Sequence, residues 1–108
     1  MSEIKLLFLA FYVPEDHVEK VLNAIFNAGA GKYKAYDHCA WTTRGEGRFR
    51  PLKGSSPFTG KEQMDTRVPE IKVECILTEK RREKVENALL KAHPYEEPAY
   101  HFMSLCHA

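Results

Sequence analysis

Between residues 93 and 107 the chain gathers His93, Glu96, Glu97, His101, Cys106 and His107. Imidazole, carboxylate and thiolate are the donor types of zinc and copper sites, so divalent-metal binding through His93, Glu97 and His101 is one chemistry open to this stretch. The spacing follows no established ligand pattern, and the reading that expects no metal and no cofactor stands beside it. In that reading His93 closes a helix, and Tyr95 with the two acids hydrogen-bonds a glycine-rich loop. Pro94 and Pro98 exclude helix here, because each ring removes an N–H donor and restricts the residue before it. A rigid backbone that carries acids, histidines, Tyr95, Tyr100 and Phe102 describes a shaped surface and a candidate ligand-binding rim.

The second chemically dense stretch is residues 44–67. Gly45, Gly47, Pro51, Gly54, Pro57 and Gly60 punctuate it too often for regular secondary structure, so it reads as a long excursion from the domain. A loop of this length is functional or disordered, and the apolar anchors Phe49, Leu52 and Phe58 favour order. Arg44, Arg48, Arg50 and Lys53 could grip a phosphate or carboxylate, which makes a small anion or nucleotide the expected ligand. The alternative is that these side chains are solvated or paired with local acids. Gly47, Arg48, Phe49 and Arg50 join His93, Tyr95, Glu96 and Glu97 as ligand-binding candidates. Gly-x-Gly here is no dinucleotide fingerprint, since the third glycine and the following helix are missing.

No catalytic residues are expected. Cys39 has His38 beside it, but neighbouring strand residues point to opposite faces. Glu96 and Glu97 likewise diverge in extended backbone, which disfavours paired acid–base work.

The elements that must hold these stretches follow from periodicity. Leu7, Leu9, Phe11 and Val13 alternate over residues 4–13, the signature of a strand. Pro14-Glu15-Asp16 opens a helix whose apolar stripe is Val18, Val21, Leu22, Ile25 and Phe26, and Gly29 with Gly31 ends it. At an offset of 64 residues the pattern recurs: residues 70–77 as strand, Thr78 as N-cap, and a helical stripe of Val85, Ala88, Leu89 and Ala92. Strands follow near 36–43 and 99–105. The order β-α-β-β-α-β predicts a single α+β domain over residues 1–108, a ferredoxin-like four-stranded antiparallel sheet with two helices on one face.

Counting alternation outward places Phe8, Tyr12, Ile76, Tyr100 and Phe102 on the open face, with Tyr36 and His38 on the remaining strand. Such an apolar patch exceeds what monomers usually expose, and it predicts a homo-oligomer, dimer or trimer, through the sheet. The competing arrangement folds the 44–67 segment over that face.

Composition bounds the rest. One domain of 108 residues buries roughly two-thirds of its unfolded surface and needs no staple. A formal charge of +1 offers no bulk attraction to nucleic acid or anionic membrane, and no apolar run of membrane-spanning length occurs. Met1-Ser2-Glu3 leads directly into the first strand-like run, without the basic region of a signal peptide. Cys39, Cys75 and Cys106 are odd in number and far apart, which predicts reduced thiols in a cytoplasmic protein.

The combination Gly45-x-Gly47-x-Phe49-x-Pro51, Gly54-x-x-Pro57-x-x-Gly60 and His93-Pro94-Tyr95-Glu96-Glu97-Pro98-Ala99-Tyr100 resembles the inserted domain of the Nif-three-like, YqfO-type proteins. The resemblance runs from the first strand to Leu105. It implies a fold similar to the trimeric PII and CutA proteins and an oligomeric habit. In longer members this unit interrupts a dimetal-binding domain that has no counterpart here, so the hydrolase or cyclohydrolase labels of the family do not carry over. The resemblance implies little about activity; the repeat, the aromatic open face and the two rigid segments point to a non-catalytic small-ligand-sensing or protein-interaction module, oligomeric through its sheet face. Similarity to CutA raises the alternative of a divalent-metal-binding, cation-tolerance protein.

Overall fold

The computed structural model describes residues 4–106; Met1–Glu3, His107 and Ala108 lie outside the described residues, and with them the N-terminal reading and one of the clustered histidines. Strand β1 (Leu6–Pro14) leads through a 3-10 turn (Glu15–His17) into helix α1 (Val18–Asn27). Strands β2 (Trp41–Phe49) and β3 (Thr66–Thr78) follow. A second 3-10 turn (Glu79–Arg81), helix α2 (Arg82–Ala92) and strand β4 (Tyr100–Ser104) complete the chain. The sheet order is β2-β3-β1-β4, antiparallel throughout.

The 64-residue offset is a property of the fold. Leu6–Pro14, Glu15–His17 and Val18 recur at that offset as residues 70–78, 79–81 and 82. Pro14 and Thr78 both stand where the strand turns into the helix, and Thr78 does so without a side-chain capping bond. The two halves part company at the helix exits. After α1, the Gly29 N–H donates to the Phe26 carbonyl and the Ala30 N–H to that of Ile25, while Gly29 has φ +112°. These are the two bonds of a Schellman cap, which needs a residue tolerant of positive φ. After α2, His93 is extended and Pro94 forbids continuation.

Leu9, Phe11, Val13, Val73 and Leu77 on the sheet, with Val21, Ile25, Val85 and Leu89 on the helices, form a dry core. Full burial of each such side chain contributes about 1.5–3 kcal/mol. Cys75 belongs to this layer, and burial raises its thiol pKa to about 12, so it stays an unreactive thiol.

Three expectations change. The strand expected near 36–43 begins at Trp41, because residues before it curl: Lys34 and His38 have positive φ and Tyr33 pairs with Tyr36 as an isolated bridge. Tyr36 is consequently exposed off the sheet, and His38 stacks on Phe26 of α1 at 4.6 Å, so neither lies on the open face. Gly45 and Gly47 sit inside β2, and Thr66–Val68 inside β3; only residues 50–65 are irregular. Lastly, Phe11 pairs with Tyr100 and Leu9 with Phe102, which puts both aromatics on the helix face. There they pack against the core, with the Tyr100 hydroxyl donating to Glu86 Oε2 at 2.7 Å and Arg82 lying over the Phe102 ring. The outward residues of β4 are His101, opposite Ala10, and Met103, opposite Phe8.

Candidate functional site

The open face divides into two regions. At one end Phe8 pairs with Ile76 and Met103. At the other, Tyr12, Gly45, Gly47, Phe49 and Glu70 form the floor of a cleft of about 800 Å³. The excursion and the proline-rich exit of α2 supply its walls, through Pro57, Phe58, Tyr95, Glu96 and Glu97. Pockets for drug-sized molecules run roughly 300–1,000 Å³.

His93 anchors one wall. It is buried, and its Nδ1 accepts the Tyr95 backbone N–H at 3.1 Å. Nε2 therefore carries the proton and donates to the Tyr12 carbonyl at 2.6 Å. Tyr12 lies one residue past the last β1–β4 pair, so the imidazole continues the ladder where β4 has not yet begun. Burial lowers the His93 pKa, against the opposing pull of the Tyr12 carbonyl and Glu70, and the neutral ring is the native form.

Tyr95 then reaches across to β3, where its hydroxyl donates to Glu70 Oε2 at 2.6 Å. Desolvation first, and the Glu70 carboxylate second, push the phenol pKa well up, so Tyr95 works as a hydrogen-bond donor and not as a base. The Tyr95 ring also meets Phe49 and Phe58, with centroids at 6.3 and 6.1 Å. Phe58 in turn packs edge-on to His17 at 5.5 Å. Glu96 Oε1 accepts the Ser56 backbone N–H at 3.1 Å, tying the two loops together within one subunit.

The glycines of β2 make room for this. Residue 47 faces Glu70, and a Cβ there would collide with Glu70 Oε1. A Cβ at Gly45 would meet nothing within 4 Å, so that position is open floor.

Of the eight expected ligand residues, Gly47, Arg48, Phe49, Tyr95, Glu96 and Glu97 line the cleft. His93 stands behind Tyr95 and positions it; Arg50 is not among the lining residues. Arg44 is engaged on the helix side, forked onto Glu15 with one bond of 2.7 Å. Of the residues named for the metal alternative, His93 has both ring nitrogens bonded within the protein and His101 faces outward from β4; no group of three metal-binding side chains gathers among the described residues. Tyr12, expected on an oligomer interface, and Phe58, expected only as an apolar anchor of the excursion, also line the cleft, and so does Glu70, which the sequence does not single out. Glu70 alternates with core residues like any solvent-side strand acid, and only its pairing opposite Gly45 and its proximity to Gly47 reveal it.

No family model matches the chain. A GTP cyclohydrolase 1 type 2 homolog from Halalkalibacterium halodurans is 44% identical over 92 residues, 85% of this chain and 25% of that protein. A solved Bacillus cereus protein related to NIF3 superposes over 98% of this chain with TM-score 0.85 and 33% identity, covering 27% of its own length. Over most of its length the chain is similar to one part of Nif-three-like proteins. It spans about a quarter of the length of the curated relatives it matches. The fold itself is CutA-like: the divalent ion tolerance protein CutA1 from Ehrlichia chaffeensis aligns over 99% of this chain and 87% of its own, at TM-score 0.71 and 15% identity. The chain is therefore a small PII/CutA-like module. No helix among its described residues is long and apolar enough to cross a membrane.

Proposed function

We propose that this module is a non-catalytic small-ligand-sensing unit that associates with copies of itself through its open sheet face. The observation that carries the reading is the meeting of the two loops over glycine floor. Ser56 bonded to Glu96 and Phe58 against Tyr95 close an aromatic-walled cleft that neither loop could form alone. Its titratable centre is organised for holding and not for turnover: Tyr95 is fixed as a donor, Glu70 as its acceptor, and His93 spends both nitrogens on structure. The activity in the relatives' name is not extended to this quarter of their length. Association is supported by Phe8, Ile76 and Met103 at the far end of the open face, with Trp41 67% exposed on the neighbouring edge strand.

Two measurements test this. A thermal-shift screen of small charged and neutral metabolites is expected to raise the melting temperature with at least one class. Divalent ions should give no shift; a shift with them, and none with organic ligands, would favour the cation-tolerance reading. Gel filtration with light scattering is expected to give a dimer or trimer that Phe8→Glu dissociates. A monomeric wild-type protein removes the association.

A further inference from the structure

We infer that the cleft selects a small organic cation, an ammonium or guanidinium group on an apolar body, with Glu70 as its counter-ion. This rests on the reading of the cleft as a ligand site, and it reverses the charge that the arginines of the sequence suggest.

Those arginines do not serve the floor. Arg44 pairs with core residue Ile71 in the ladder and is forked onto Glu15, and Arg48 belongs to the same alternating set, opposite Arg67. Lys72 does lie on the open face, where its Nζ is 3.4 Å from Glu74 Oε1. The acids are arranged differently. Glu70 is half-buried, with Oε2 taking the Tyr95 hydroxyl and Oε1 standing over Gly47, where residue 47 supplies no side chain to cover it. Glu96 and Glu97 line the same cleft from the opposite wall.

Around these carboxylates stand Tyr12, Phe49, Phe58 and Tyr95. A cation against aromatic faces and beside a partly desolvated carboxylate gains from both. An anion in the same place meets Glu70, Glu96 and Glu97; of the three bases that line the cleft, Arg44 and Lys72 are already paired, and Arg48 belongs to the helix-facing set of β2. A planar guanidinium or amidinium, with its diverging donors, fits such a divided acceptor set better than a spherical metal ion.

The test compares benzamidine, benzamide and benzoate, which share a shape and differ in charge, with GTP as the anionic nucleotide, by isothermal titration of the full chain. Benzamidine should bind at least about tenfold tighter than benzamide, the factor that a charge-assisted hydrogen bond is typically worth. Benzoate and GTP should give no measurable heat. Glu70→Gln, which keeps an acceptor for Tyr95, should lose that tenfold preference and leave benzamide unchanged. Gly45→Val, placed in open space, should abolish benzamidine binding by filling the floor. Benzoate or GTP binding as tightly as benzamidine, and lost in Gly45→Val, overturns the charge assignment and leaves the ligand cleft standing. Benzamidine binding that Glu70→Gln or Gly45→Val does not change overturns the site. Absence of binding by all four compounds overturns the cleft reading together with this inference.

Discussion

Replacing His93 with leucine should destabilise the fold by about 3 kcal/mol, seen as a lower urea midpoint at pH 7.5. The substitution preserves volume and removes two hydrogen bonds, leaving the Tyr12 carbonyl and the Tyr95 N–H without their partner in a buried place. An unsatisfied buried group costs about 1–3 kcal/mol, so the two together exceed what a typical surface change does. The wild-type protein carries a linked pH signature. The native pKa of His93 is depressed below the ordinary 6.5, so on acidification the unfolded chain takes up this proton first. Stability is fully present above 6.5 and falls as the pH drops from there through the lower native value. Protonation also turns Nδ1 into a second donor facing the Tyr95 N–H, which loosens the wall of the cleft. Urea midpoints at pH 7.5 and 5 should therefore converge in the His93→Leu variant compared with wild type. Equal pH slopes in the two proteins would refute the assignment.

Gly47→Ala should cost about 1–2 kcal/mol, while Gly45→Ala two residues away should cost nothing. Neither glycine has positive φ, so backbone strain does not separate them. What separates them is Glu70: a methyl group at residue 47 must displace its carboxylate, and with it the acceptor of the Tyr95 hydroxyl. The expected loss is that of one hydrogen bond to a charged group. Alanine at residue 45 enters open space and narrows the unfolded ensemble, for a gain of up to about 1 kcal/mol. Paired denaturation curves decide it, and identical midpoints for the two variants would mean that Glu70 is not held.

Much of this frame was legible in the chain because it rests on strong periodicity. Leu7, Leu9, Phe11 and Val13 could only be a strand face, and the stripe from Val18 to Phe26 could only be a helix. The His-Pro-Tyr-Glu-Glu block was legible as a rim because proline and local polarity act within a few residues. Three things were not. The strand expected near 36–43 runs on to Phe49, and its second part reads as loop because Gly45 and Gly47 contribute no side chain to a period of two; pairing with β3 overrides their weak strand preference. The facing of Tyr100 and Phe102 depended on counting from an uncertain start, and a slip of one residue turns every side chain over. The role of Glu70 is created entirely by register, which no local pattern encodes.

The sheet order has a bearing on how the molecule is made. The two similar halves are not two folding units, because β3 lies between β1 and β2. A growing chain has delivered β1, α1 and β2 before residue 66 emerges, yet none of these strands has a neighbour to pair with. With strands spaced about 4.8 Å apart, the missing one leaves a gap that side chains cannot bridge with backbone hydrogen bonds. A fragment of residues 1–62 should accordingly show no sheet signal by circular dichroism. It should acquire one only when residues 63–108 are added, so cooperative assembly waits for the second half of synthesis. A fragment that forms sheet on its own would show that another pairing is available to the nascent chain.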